Sequence, residues 1–234
     1  MVVLIAWSLL SEIVGEDILP PPWHVATSLG DMIFSGDFLE PLSGSLMRTL
    51  LGFAGAMLLG LAYGITAARS PRFNHVFAGT FNVMLFAPTL VIVFVGLLVL
   101  GYSASWAVVI ITSIAVFPNI GVYMRDVMRH IDEDLVGMAK SFHVHGWRRI
   151  VDVYIPYLAP PLLSSGRIGL NSSWKVVLLC EIFGFPGGLG FSIRNSYAAF
   201  DIPTMLAWVA LFVLTLVLIE QVIRGIETRV VRWA

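Results

Sequence analysis

Three polar side chains lie at helical spacing inside an otherwise apolar stretch of the sequence. Arg167, Asn171 and Lys175 recur at i, i+4 and i+8, so one face of a helix would carry all three. Charged groups inside a bilayer are costly, and they usually face a bundle interior or a water-filled cavity. In one interpretation these residues, with Glu181, line a path suited to a small anion. In the other, Arg167 reaches the membrane surface and Lys175 pairs with Glu181 or Glu220.

A polar insert at about residues 129–156 separates two apolar stretches. Its apolar residues fall at i, i+3, i+4 and i+7 in two blocks, which predicts two short amphipathic helices joined by a turn at residues 143–146. Such a pair of helices offers apolar side chains to another protein. A loop lying on lipid headgroups is the alternative, but residues 124–156 hold five acids and five bases, whereas lipid-surface helices are usually rich in Lys and Arg. The predicted docking face comprises Leu135, Met138, Ala139, Phe142, Trp147 and Ile150.

The sequence gives little support for a metal site or an enzyme active site. His143 and His145 are two residues apart, a spacing that suits neither a helical metal pair nor a His-Glu-x-x-His site. Cys180 beside Glu181 suggests a nucleophile and a base, hence a membrane-embedded hydrolase, but no suitable His lies in a neighbouring span. The single cysteine excludes an intramolecular disulfide. No Gly-x-x-x-x-Gly-Lys loop is present, so we expect the chain to hydrolyse no ATP itself and to hold no cofactor.

The composition is that of an all-α integral membrane protein. The 234 residues are 58% hydrophobic and only 12% charged, whereas about a quarter of a soluble domain is charged. About 20 apolar residues span a bilayer, and we predict one domain, residues 1–234, with about six spans, the first of them short. The predicted spans are Val2–Val14, Leu46–Ala67, Val76–Leu100, Ala104–Tyr123, Leu158–Phe183 and Pro203–Ile223.

Lys and Arg are unevenly distributed between the predicted loops. Ten of the 14 follow the second span, lie in the insert or lie near the C-terminus. Because these residues resist translocation, the insert and both termini are predicted to be cytoplasmic. On the outer side, residues 24–39 are expected to form a short helix after three prolines, and Gly187, Gly188 and Gly190 to make a tight loop. Gly52, Gly55 and Gly60 are interpreted as helix-packing positions.

The insert contains Ala139-Lys140-Ser141-Phe142, then His143, then Ile155-Pro156, whose proline lies thirteen residues beyond that histidine. In the order and spacing of these residues it resembles the cytoplasmic coupling loop of ABC importer permeases of the binding-protein-dependent class. The rest of the chain is similar to the nitrate, sulfonate and taurine branch of that family. This similarity is carried by Leu19-Pro20-Pro21-Pro22, Ser45-Leu46-Met47-Arg48-Thr49-Leu50, Glu181-Ile182-Phe183-Gly184 and Gly188-Leu189-Gly190.

The resemblance implies a type I ABC importer permease of a bacterial plasma membrane. It implies three partners: a cytoplasmic ATPase dimer that binds the ATP and Mg, a second permease copy or paralogue, and an external solute-binding protein. The insert would couple ATPase closure to the membrane helices. In addition to the docking face, Lys140, His143, Gly146 and Pro156 are its expected coupling residues.

Two residues depart from the family pattern. Gly137 stands where the family has Glu, and His143 where it has a loop glycine, with Gly146 following later. The sequence leaves open the substrate, among nitrate, bicarbonate, taurine, sulfonates and pyrimidine vitamin precursors, and the choice between homodimer and heterodimer. A stand-alone secondary carrier or channel is the alternative function.

Overall fold

The computed structural model of the chain describes residues 2–131, 137–138, 141, 146–149, 151 and 154–230. Within these ranges all regular structure is helical. Six of the predicted coupling residues, Leu135, Ala139, Lys140, Phe142, His143 and Ile150, lie outside the described residues. The helices are α1 Val2–Val14, α2 Pro22–Ser35, α3 Leu39–Arg69, α4 Pro71–Phe86, α5 Thr89–Leu100, α6 Ser105–Arg129, α7 Trp147–Arg149, α8 Ile155–Phe183, α9 Leu189–Ala198 and α10 Ile202–Val230.

Three helices of the described chain, α3, α6 and α10, are long and apolar enough to span a membrane. The bent pair of α4 and α5 makes a fourth candidate when it is counted as one span. Helix α8 has 29 residues, a sufficient length, but its polar stripe keeps it outside this set of apolar helices. Helix α1 has 13 residues, which agrees with the short first segment expected from the sequence.

The predicted third span, Val76–Leu100, is corrected by the structure. Two helices occupy this stretch, and they meet at 101° across residues 87–88. Pro88 supplies no backbone donor and disfavours helical geometry at the residue before it. Ala87 accordingly adopts an extended conformation, with φ −64° and ψ 128°. The chain therefore turns at the one proline in this apolar run.

Helices α3 and α6 pack side by side and run parallel. Small residues at about one-turn intervals on α3 allow this close approach, because a Cβ atom on Gly52 would lie 2.7 Å from Thr112, and one on Gly60 would lie 2.8 Å from Ile120. Ala56 between them is fully buried. The helix-packing role predicted for the α3 glycines is confirmed.

Helix α8 is the shared wall between two apolar cores. Val176, Val177 and Cys180 face the core formed with α3, α5 and α6. Trp174 faces the second core, formed with α2, α9 and α10, where its ring stacks on Phe212 at 5.1 Å between centroids. Because α8 runs antiparallel to α3 and α6, its first residues lie where those helices end. We call this the insert end of the bundle, and the opposite end the far end.

We predict that Gly60→Val destabilises the protein, because the added side chain would overlap Ile120 and the backbone of Phe117. Overpacking of this kind costs about 1–3 kcal/mol. The apparent Tm of the purified protein in detergent measures the effect. Gly79→Val on α4 is the matched control, since nothing lies within 4 Å of a Cβ there, and equal losses for the two variants would contradict the packing account.

Candidate functional site

The polar stripe of α8 lies on one face of the helix, as its spacing predicts, but its members differ in their surroundings. Arg167 Nη2 lies 3.0 Å from Glu220 Oε1 on α10, and Asn171 Nδ2 donates to Glu220 Oε2 at 3.3 Å. Arg224 is also within 3.8 Å of the same carboxylate. Glu220 therefore pairs with Arg167 and Asn171, and not with Lys175 as one interpretation of the sequence proposed. The Arg167 side chain remains 38% exposed.

Lys175 is the exposed cation of this stripe. Its side chain is exposed, and none of the ion pairs found in the described part of the chain includes it. Ser164 and Ile168 are exposed on the same helix. Lys175 lies two turns inside the far end of α8. Contact of its charged group with lipid hydrocarbon at this depth would be energetically unfavourable. This face of α8 is thus suited to water, to an anion or to another polypeptide chain.

Glu181 lies one and a half turns beyond Lys175, but in a closed environment. The sequence groups it with the path residues, whereas in the structure its side chain is fully buried. Arg48 on α3 donates to Glu181 Oε1 from Nη2 at 2.7 Å and from Nε at 3.1 Å. Ser45 Oγ lies 2.8 Å from both carboxylate oxygens. The guanidinium also lies over the Phe185 ring, 4.5 Å from its centroid.

The same cluster caps helix α9. Gly190 N–H donates to Glu181 Oε2 at 3.0 Å, and Leu189 N–H donates to Ser45 Oγ at 2.9 Å. The first backbone donors of a helix have no partner within that helix, and they favour a negative charge. Helix α9 has no side-chain cap of its own. Its N-terminus is therefore completed by side chains from α3 and α8.

Steric contacts at this junction explain the two glycines of the Gly188-Leu189-Gly190 element. Gly188 has φ +89°, and a Cβ there would overlap the Glu181 carboxylate. A Cβ on Gly190 would lie 2.6 Å from the Leu178 carbonyl. Leu189 between them is fully buried in the second core. The element predicted as a tight loop thus seats the start of a helix against α8.

Sequence reasoning missed Arg48 and Ser45 as members of this cluster. Arg48 falls within the predicted span Leu46–Ala67, and it is only 8% exposed. An arginine in the first third of a long apolar helix is itself a signal for a buried acid, because an unpaired charge there is expensive. Removing one partner of a buried ion pair typically costs about 3–5 kcal/mol, so the cluster holds α3, α8 and α9 together.

The predicted coupling residues that the structure describes lie on the insert and at its base. Met138 and Trp147 are 55% and 73% exposed. Gly146 has φ +59°, the left-handed geometry that the predicted turn at residues 143–146 requires. Pro156 lies in the first turn of α8, a position where its missing N–H is tolerated. The insert thus leads directly into the helix that carries the polar stripe.

Hydrogen bonds fix the base of the insert to the bundle. Arg129 Nη2 donates to the Ala67 carbonyl at 3.2 Å, which joins the ends of α6 and α3. Tyr157 OH donates to the His130 carbonyl at 3.0 Å, which joins the start of α8 to the residue after α6. Both chain segments that carry the insert are therefore attached to the packed helices.

Comparison with known proteins identifies the family. The model of the binding-protein-dependent transport system inner membrane component matches residues 56–232. A Bacillus subtilis protein whose name assigns it to aliphatic sulfonates transport as a permease is 24% identical, over 99% of this chain and 84% of its own length. The taurine transport system permease of Escherichia coli is 22% identical over 95% of this chain and 82% of its own. The nitrate import permease of Synechocystis is 22% identical over 84% of this chain and 74% of its own.

Among solved structures, the MetNI methionine ABC transporter in an inward-facing conformation has a chain with the same fold. Its TM-score is 0.69 at 16% identity, and the match covers 83% of this chain and 94% of that one. The family model covers more than half of the present sequence, including the insert and the polar stripe. The chain belongs to the family of inner membrane components of binding-protein-dependent transport systems.

Proposed function

We propose that this chain is the permease subunit of an ATP-driven uptake transporter that carries a small anion or a related organic solute. The observation that carries the proposal is the insert between α6 and α8, whose described residues Met138 and Trp147 are exposed and which precedes the helix that bears the polar stripe. A motor that binds the insert would act directly on that helix. Family membership and the sulfonate, taurine and nitrate permeases among its relatives support the same conclusion.

The insert end faces the cytoplasm in this proposal, and both termini lie on that side of a bacterial plasma membrane. The basic residues Arg69, Arg129 and Arg148 lie at this end, as positive charge does in cytoplasmic loops. A cytoplasmic ATPase dimer binds the insert and supplies ATP and Mg. A second permease subunit completes the path, and an external binding protein delivers the solute at the far end. Met138 and Trp147 are the described residues that we assign to the ATPase contact.

We predict that Met138→Asp with Trp147→Asp abolishes binding of the ATPase subunit. Both side chains are exposed, so the fold does not need them, but a charged group in an apolar docking groove is unpaired and costly. Co-purification of the ATPase with the tagged permease, and ATPase activity of the complex, measure the loss.

Phe34→Asp is the matched control for this prediction. Phe34 is 93% exposed near the far end, and its replacement is expected to leave ATPase binding unchanged. Retention of the ATPase by the double variant would contradict the docking role of the insert. Solute uptake by the reconstituted chain alone, without ATP, would favour the stand-alone carrier or channel.

Lys175 is the residue that we assign to the solute path. Arg167 and Asn171 are bonded to Glu220, whereas Lys175 is exposed two turns inside the far end. A fixed cation on a path selects for anionic solutes and against cations. The sulfonate of taurine and the nitrate ion, named for the relatives, are anions of this kind.

We predict that Lys175→Met lowers uptake of the anionic solute by about tenfold or more while leaving assembly and basal ATPase activity intact, since one favourable charge contact is worth about 1.5–3 kcal/mol. Lys175→Arg is the matched control and retains most of the uptake because it keeps the charge. Proteoliposomes with the ATPase and the binding protein provide the measurement. Equal uptake by Lys175→Met and the wild type would contradict the assignment of Lys175 to the solute path.

A further inference from the structure

We propose that Glu181, Arg48 and Ser45 form a permanent latch that makes helix α9 move as one body with α3 and α8 throughout the transport cycle. The latch is defined by these three side chains together with the Leu189 and Gly190 backbone amides that they bind. Glu181, Arg48 and Ser45 are thus positioning residues for the far end of the molecule. The proposal rests on the proposed function only for the existence of such a cycle.

The first argument is that the hydrogen bonds of the Glu181 carboxylate are all made within the latch. Glu181 receives bonds from Ser45, from two nitrogens of Arg48 and from Gly190 N–H. The Ser45 hydroxyl receives a further bond from Leu189 N–H. Separating α9 from both α3 and α8 would leave the Leu189 and Gly190 backbone amides without partners. Separating α3 from α8 would leave a buried carboxylate and a buried guanidinium unpaired, which is the more costly loss.

The second argument is that water has little access to the latch. Glu181 and Leu189 are fully buried, and Ser45 is 2% exposed. The Phe185 ring covers the guanidinium. A hydrogen-bonded charge pair that opens and closes in each cycle would need water or alternative partners to take over its bonds. Among the described residues, the donors to the Glu181 carboxylate are Ser45, Arg48 and Gly190, all of them members of the latch.

The third argument comes from the shape of the backbone at the junction. Gly188 and Gly190 bring the start of α9 so close to α8 that a methyl group at either position would collide with Glu181. Close packing of this kind resists sliding, because every small displacement meets a neighbouring atom. At this one point of the far end, hydrogen bonds therefore join residues that are 133 to 144 positions apart in sequence.

Distances between spin labels test the latch. Met47 on α3 and Tyr197 on α9 are 65% and 64% exposed, so cysteines at these positions accept labels in a Cys180→Ala background. In the assembled transporter we expect one narrow intrachain distance. It should be the same without nucleotide and after trapping with ADP and vanadate. A shift of this distance on trapping of the wild-type latch would overturn the proposal.

Variants show whether these side chains cause the rigidity. Glu181→Gln keeps the size of the side chain but removes its charge, and we expect the single narrow distance to be lost. Glu220→Gln is the matched control, because that carboxylate also joins two helices but lies outside the latch. A narrow distance in Glu181→Gln, equal to that of the wild type, would assign the rigidity to packing alone and overturn the role of the ion pair.

The ATPase activity of the complex provides a second test of the latch. In Glu181→Gln we expect basal ATPase activity to remain and its stimulation by the loaded binding protein to be lost, because a loosened α9 no longer transmits a force from the far end. Loss of assembly would instead indicate a folding role only, and would count against the latch as a positioning device. If the wild-type chain binds no ATPase, the proposed function fails, while the comparison of Glu181→Gln with wild type in detergent still tests the latch.

Discussion

The low dielectric of the membrane is the constraint on which this fold depends. A charge inside a spanning helix must meet an opposite charge, hydrogen-bond donors or water. Helix α8 carries one partner of each of two ion pairs, Glu181 with Arg48 of α3 and Arg167 with Glu220 of α10. The first pair lies at the far end, and the second lies nearer the insert end. These pairs fix α8 to its neighbours on both sides, and they make it the element that connects the two ends of the molecule.

Close packing makes the unit around α8 stiff. The small residues of α3 let α6 approach so closely that an added methyl group would overlap side chains across the interface. Arg129 and Tyr157 then fasten the base of the insert to the same unit. A displacement of the insert therefore reaches α8 through packed helices and fixed hydrogen bonds, without a flexible segment between the described base and the polar stripe. Packed elements of this kind shift between discrete arrangements and do not deform continuously.

Apolar periodicity predicted the parts of the fold that depend on local sequence. The long apolar runs form helices in the structure, and the α3 glycines lie on a helix-packing face. The partners of the charges were not predictable in this way. Glu220 was proposed for Lys175, yet it binds Arg167 and Asn171, because the choice depends on the register between two helices, and Asn171 and Glu220 are 49 positions apart in sequence. Arg48 and Glu181 are 133 positions apart, and periodicity contains no information on such pairs.

The structure also differs from the predicted elements in two places. Pro88 divides the third predicted span, and the rule that the residue before a proline avoids helical geometry accounts for that bend. Helix α9 was not predicted, because glycines precede it and occupy its second position, and several of its ten residues are polar. It is stabilised instead by capping groups from α3 and α8. A helix whose cap lies elsewhere in the sequence has no local signature that a reading along the chain could find.

The charged residues of α8 differ in whether they are ion-paired. Arg167 and Glu181 each have an opposite charge at bonding distance, whereas Lys175 between them has an open face and, among the described residues, no carboxylate within ion-pair distance. An ion pair at Lys175 would cancel the local field, and an apolar residue would not create one. A cation held on a rigid helix between two ion-paired positions creates a positive potential at its own level of that helix. The two pairs thus do more than hold α8 in place, because they leave Lys175, on an open face, as the charged residue of α8 without an ion pair among the described residues.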